Sequence, residues 1–319
     1  MTNKGIYSQF CQSEKTIPIF SKDWWLDTVC GEEGWEVILV KKGDKIVASM
    51  PYHMHKRYGL KFVSMPKLTQ TMGPWIRPSN AKYAKRISDQ KDLMLALIDK
   101  LPSFHSFSQN FSYSIINWLP FFWHGFEQTT LYTYVLEDLV VEDEIWRGLL
   151  PKIRTDIKKA QNRFHLQIRT DLDIERFLDI IEVTFERQSK TMPYSREFVK
   201  KLDSTCERHN ARKIFFAVDR DERIHAVAYI VWDSNSAYYL MGGADPALRN
   251  SGASSLCLME AIKFASTVTQ AFDFEGSMIE SVERFFRAFG GVQKSYFNIT
   301  KTPSRLLRMR RYLIDLIRA

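Results

Sequence analysis

Cysteine is scarce and unpatterned. The four present, Cys11, Cys30, Cys206 and Cys257, form no CxxC pair and no metal-ligand spacing, so neither a disulfide framework nor a metal centre is expected. The opening stretch MTNKGIYSQFCQSEK has no apolar segment of the kind a secretory leader needs. Long hydrophobic runs are missing too. The most apolar stretch, IINWLPFFWHGF (115–126), is too short to cross a bilayer and contains Pro120 and His124. Free thiols in a cytoplasmic protein are the expectation. A body-wide excess of positive charge is also lacking. Of the formal net charge of +8, residues 301–319 hold six cations (Lys301, Arg305, Arg308, Arg310, Arg311 and Arg318) against Asp315 alone. The body is therefore nearly balanced, which excludes a general nucleic-acid-binding surface and leaves any polyanion contact local.

What is present is an ordinary globular composition, 45% hydrophobic and 26% charged, on 319 residues, enough for two domains. In the first half, DWWLDTVCG reads as a helix. WEVILVKKGDKIVASMPYHMHK reads as a hairpin turning at Lys42-Gly43-Asp44, and 62–76 as a third extended segment. A helix over 81–101, a strand at FHSFSQNFSYS, a short aromatic helix and the strand 128–137 follow. The second half opens with a helical stretch over 142–163 that Pro151 should restart or kink. A helix over 173–190 follows, with apolar residues at helical spacing. Three strands over 211–245 turn at 219–222 and 233–236. Then come a helix from 256, a strand QAFDFEG, a helix ESVERFFRAFG and a strand near 293–302. The two halves share a pattern without evident residue identity, so the division is placed at 1–140 and 141–319. The fold class expected is α/β of the α+β type, each half a mixed, mostly antiparallel sheet flanked by helices.

Between a strand and a helix lies GGADPALRNSGASS (242–255). A glycine turn opening a helix presents unpaired N–H groups and a positive helix end to an anion. Arg249, Asn250, Ser251, Gly252, Ala253 and Ser254 are the candidate phosphate cradle, and Gly252 would let the backbone approach a ligand. Alternatively, Ser254 or Ser255 simply caps the helix.

The loop resembles the (Gln/Arg)-x-x-Gly-x-(Gly/Ala) turn of GNAT acyltransferases, with Ser254 in the last place. Over 145–300 the chain is similar to the Fem-type family of tandem-GNAT N-acyltransferases. The matching motifs are Gly242-Gly243-x-Asp245, Phe272-Asp273-Phe274-Glu275-Gly276, Phe285-Phe286-Arg287-Ala288-Phe289-Gly290-Gly291 and IRTDIKKAQNR (153–163). Its nearest subgroup is the BioF2-like acetyltransferases, which often accompany cell-surface polysaccharide biosynthesis. The resemblance implies two GNAT-like domains, the first degenerate, with a substrate cleft between or along them. It implies acyl-CoA as donor and an amine acceptor, such as an amino sugar or a lipid-linked cell-envelope precursor. Aminoacyl-tRNA is the alternative donor, and a non-catalytic binding module the alternative role. The chain lacks the coiled-coil insertion often found in Fem aminoacyl transferases.

N-acyl transfer needs a base for the amine, an oxyanion stabiliser and a proton for the leaving group. Period 2 in QAFDFEG sets Asp273 and Glu275 on one face, a pair suited to holding and deprotonating an amine. Asp273 is the more structural of the two. Tyr239 is the candidate proton donor, although Tyr238 points the opposite way and either could be core. Arg284 and Arg287, three apart, could grip one acceptor phosphate or pair with Glu280 and Glu283 on a solvated face. Tyr296 is a further substrate-side candidate with the same core alternative. His225 is read as a structural histidine, and Arg154, Lys158 and Lys159 as a solvated basic face. In the first half the corresponding slot, MPKLTQTMGPWIRP, has no Arg-x-x-Gly loop. RLLRMRRYLIDLIRA places Leu306, Met309, Leu313, Leu316 and Ile317 near one helical face and arginines elsewhere; docking on its own protein is the first expectation, with peripheral contact with the inner face of a membrane or contact with tRNA as the alternatives.

Overall fold

The computed structural model describes residues 2–139, 142–276 and 278–318. The chain divides into two compact units, 1–131 with 295–319 (unit 1) and 132–294 (unit 2). The expected division falls on Val140 and Val141, which lie outside the described residues. The observed one differs in giving 295–319 to unit 1.

Unit 1 begins with α1 (Asn3–Ser13), α2 (Asp23–Cys30), β1 (Trp35–Lys42), β2 (Lys45–Arg57), β3 (Leu60–Ser64), β4 (Trp75–Ile76), α3 (Tyr83–Ile98), β5 (Ser106–Asn110) and α4 (Leu119–Trp123). The chain leaves it within β6 (Glu127–Leu136). Unit 2 follows with α5 (Glu142–Gly148), α6 (Pro151–Asn162), β7 (Gln167–Arg169), α7 (Ile174–Glu186), α8 (Arg196–Arg208), β8 (Arg212–Val218), β9 (Ile224–Trp232), β10 (Ala237–Ala244), α9 (Ala253–Ala265), β11 (Phe272–Asp273) and α10 (Glu280–Arg287). It returns through β12 (Val292–Lys301) to α11 (Arg305–Arg318). The second half of β12 pairs antiparallel with β5, Asn298 opposite Asn110 through Lys301 opposite Phe107, and this pairing is what ties 295–301 to unit 1.

In unit 1 the strand order is β1-β2-β3-β5-β12, with β4 on β2. All pairs are antiparallel except β3 with β5. Period 2 in β1 sends Ile38 and Val40 into one core with Phe107 and Phe121, and Val37 and Leu39 into another with Tyr7 and Trp75. In unit 2 the order is β6-β11-β10-β9-β8-β7, again antiparallel except for one pair, β10 with β11. Each parallel pair needs a crossover, supplied by α3 in unit 1 and α9 in unit 2.

β9 is the central strand of unit 2. Its seven residues from His225 to Val231 are all buried, which explains an apolar run without alternation. α9 covers one face and buries Leu256, Cys257, Met259 and Ile262 in the core. Pro151 starts α6 at its first turn, where a missing N–H costs nothing. Asp173 caps α7 by accepting from the Arg176 N–H. β7 and α8 have no counterpart in the sequence reading, and neither does α1. The four cysteines are free.

Candidate functional site

β10 ends at Ala244, and Asp245 accepts from the Ala247 N–H at 2.7 Å to close a single 3-10 turn, Pro246–Leu248. Asn250 and Gly252 then take left-handed backbone angles, φ 64° and 82°. Gly252 is the N-cap of α9 and no side chain caps the helix, so neither Ser254 nor Ser255 has the capping role. The first-turn N–H groups therefore lack the side-chain acceptor that most helix starts have. A Cβ on Gly252 would lie 2.0 Å from the Asp156 carbonyl oxygen. The glycine is thus required by its backbone angle and by close packing on α6, a reason additional to ligand approach.

This loop lines a cavity of about 470 Å³, and Arg249, Asn250, Ser251, Gly252, Ala253 and Ser254 all contribute to its wall. Three further cations converge from elsewhere. Lys152 and Lys159 lie seven residues apart on one flank of α6, whose Ile153, Ile157 and Ala160 are buried. Arg187 comes from the end of α7. Among the described residues of the wall the one carboxylate, Asp156, is engaged by Lys152 at 2.8 Å. Four cations and a carboxylate already paired with a lysine line the cavity at a helix N-terminus, an arrangement whose charge favours an anion. Arg154 and Lys158 do not line it, whereas Lys159, read as part of the same solvated face, does.

His225 also lines the cavity while being 3% exposed. Its Nε2 lies 3.0 Å from Asp219 Oδ2. A carboxylate only accepts, so Nε2 carries the hydrogen. Its Nδ1 is buried with no hydrogen-bond partner among the described residues. Burial raises the Asp219 carboxyl, but hydrogen bonds from His225, Arg223 and two backbone N–H groups outweigh it and hold Asp219 well below the carboxylate range.

A second feature lies where β10 and β11 part. Their parallel pairing comprises only Ala237 with Phe272 and Tyr238 with Asp273. The β10–β9 register slips between Tyr239 and Met241, a bulge that re-aims the strand. The expected common face of Asp273 and Glu275 does not form, because the strand ends at Asp273 and Glu275 turns left-handed at φ 58°. The Glu275 N–H donates back to Asp273 Oδ1 at 2.8 Å, and the Thr133 hydroxyl donates to the same oxygen. Asp273 is therefore the brace of the bend. Burial outweighs these bonds and pushes its carboxyl up to about 6. Burial, then the charge of Asp273, holds the Glu275 carboxyl well above its ordinary value. Burial, then the Glu275 charge, pushes the Tyr194 hydroxyl up to about 12. Tyr239 is partly buried, its ring edge-on to Phe286 at 5.7 Å, and burial keeps its hydroxyl protonated.

Not all candidates gather here. Glu275, Asp273 and Tyr239 do not line the cavity. Arg284 and Arg287 are exposed, and each is bound to the glutamate one turn earlier, Glu280 at 3.0 Å and Glu283 at 2.8 Å, so they do not jointly present a phosphate grip. Tyr296 lies in unit 1, buried, where its hydroxyl accepts from Gln70 Nε2 at 3.1 Å.

Residues 150–278 match the acetyltransferase (GNAT) domain family. The matched stretch lies within unit 2, which is thus similar to GNAT acetyltransferase domains. Solved structures similar to the whole chain include FemX, 12% identical, with a TM-score of 0.67 over 93% of this chain and 96% of that one. L-PGS from Bacillus licheniformis is 10% identical, with a TM-score of 0.51 over 89% of each chain. A tandem GNAT protein from the clavulanic acid biosynthesis pathway is 8% identical, with a TM-score of 0.51 over 93% of each. At such identities the likeness is one of fold, and the fold is the tandem-GNAT architecture of the Fem type. No curated protein sequence matches the chain. Among the described residues no group of three or more histidines, cysteines or carboxylates is placed to hold a metal ion.

Proposed function

We propose that the GNAT unit transfers an acyl group from acyl-CoA to an amine acceptor. The observation that carries this is the cation-lined cavity at the N-terminus of α9, which no side chain caps. Its volume lies within the range of small-molecule sites, and a pyrophosphate is the ligand that four convergent cations and free helix N–H groups suit. The CoA thioester supplies the activated acyl group. Arg249, Lys152, Lys159 and Arg187 hold its phosphates, and the parting of β10 and β11 receives the acyl end.

Glu275, held above its ordinary value, takes the proton from the acceptor nitrogen as the N–C bond forms and the C–S bond breaks. Tyr239, kept protonated, supplies a proton to the leaving sulfur. Asp273 fixes the bend that carries Glu275. The acceptor proposed is an amino sugar or a lipid-linked cell-envelope precursor, met in the cytoplasm or at the inner membrane face.

The test is release of free CoA thiol from acetyl-CoA in the presence of amino sugars and nucleotide-linked amino sugars. Glu275→Gln should lower kcat by roughly 100-fold or more while leaving donor affinity intact. Thiol release unchanged in that variant would remove Glu275 from the mechanism. A second reading, aminoacyl-tRNA as donor, rests on the exposed Arg305, Arg308 and Arg310 of α11. It requires tRNA binding that weakens steeply with salt and is lost on removal of 303–319.

A further inference from the structure

The described part of α11 is largely open to solvent. Of its residues whose side chains are described, all but Leu307 are exposed. Leu306 and Met309 stand about two-thirds exposed and Leu313 more than half. Positions 306, 309 and 313 share one helical face, with Arg305 on one flank of the stripe and Arg310 on the other. An isolated helix of 14 residues is marginal in water, so the stripe needs a cover.

An independent patch lies in the same unit. α4 turns Phe121 into the core against Phe111 and Phe126, and leaves Leu119, Phe122 and Trp123 outside, with Ile116 just ahead. Phe122 and Trp123 are both more than half exposed. The two patches are tied at the end of β12. The Lys301 ammonium donates to the carbonyl of His124, which ends α4, and lies over the Phe126 ring. Four residues later α11 begins.

We propose that α4 and α11 together dock unit 1 on an anionic phospholipid surface. The apolar stripe, flanked by arginines whose long stems reach past apolar groups to phosphate, suits a helix lying in the interfacial plane. Exposed Trp and Phe on the neighbouring helix suit the headgroup level. RNA would engage the arginines and leave Leu306, Met309, Phe122 and Trp123 in water. No helix among the described residues is long and apolar enough to cross a membrane, so the contact is peripheral. It is independent of which acyl donor the GNAT unit uses.

Vesicle flotation of the full chain tests this, with folding of each variant checked by near-ultraviolet circular dichroism. Vesicles of phosphatidylcholine with phosphatidylglycerol should carry the protein up, and phosphatidylcholine alone should not. Phe122→Ser with Trp123→Ser, and separately Leu306→Ser with Met309→Ser and Leu313→Ser, should each weaken binding roughly tenfold or more. Arg305→Glu with Arg308→Glu and Arg310→Glu should abolish it. Absence of binding to the anionic vesicles overturns the proposal, as does insensitivity to either apolar set. Two other results also overturn it. One is tRNA binding that only the arginine changes remove; the other is a concentration-dependent dimer in sedimentation velocity that the apolar changes dissolve.

Discussion

Two loops occupy comparable places in the two units, each after an antiparallel meander and before the crossover helix. In unit 2, 242–255 ends at a helix start with no side-chain cap and opens on a cavity with four cations in its wall. In unit 1, 65–76 is stitched shut. Trp25 Nε1 donates to Thr69 at 3.0 Å, Gln70 reaches Tyr296, Asn110 Nδ2 donates to the Gln70 carbonyl at 3.0 Å, and Phe111 lies over Gly73. The topology is the same and the hydrogen bonding differs: one loop spends its polar groups internally, and the other leaves a helix start without a side-chain cap. A fold of this kind can lose its site by filling it.

The comparison can be broken most severely at the glycines. Gly252→Val sets a branched side chain at φ 82° against the Asp156 carbonyl, and should cost on the order of 3 kcal/mol or more, read as a fall in urea midpoint. Gly252 is therefore a poor probe of ligand binding, because loss of CoA affinity there would report folding. Gly73→Ala, also left-handed at φ 87°, sets its Cβ 2.3 Å from the buried Phe111 ring, which must move within the core to admit it. About 2 kcal/mol is expected, with no change in donor affinity.

Asp273→Asn should change the pH dependence of stability. The carboxyl is raised from 3.8 to about 6, so its favourable contribution is complete below pH 3.8 and is lost as pH rises through 6. The wild type should therefore lose on the order of 1–3 kcal/mol between those values relative to the variant, measured by urea unfolding across the window. Equal slopes would contradict a buried, destabilised carboxylate. The smallest effect belongs to unit 1. Thr69→Ala leaves Trp25 Nε1 without its acceptor and should cost about 1 kcal/mol, with CoA affinity unchanged.

Much of this was legible before the structure. Period 2, tight turns and the helix after 252 located the strands around the loop, and the loop residues form one wall of a single cavity. What escaped was convergence. Lys152, Arg187 and His225 are separated from Arg249 by dozens of residues, and nothing in the local pattern joins them. His225 looks structural because its strand is apolar throughout, yet burial on both faces of β9 produces that run wherever its end meets the cavity. Asp273 and Glu275 misled by alternation, since a left-handed turn at 275 ends the period. α8 carried a readable signature, the Ser195 cap with Glu197 in the first turn and apolar residues at helical spacing. α11 reads as a docking helix by amphipathicity alone, but periodicity cannot say what covers the face.

The central claim is that the α9 N-terminus binds the donor's phosphates. Calorimetric titration of CoA into the wild type and into Arg249→Glu decides it, since Arg249 lines the cavity and has no ion-pair or hydrogen-bond partner among the described residues. Binding in the wild type and a loss of roughly tenfold or more in the variant, with the same melting temperature, is the predicted result. Equal CoA affinity in both would contradict it.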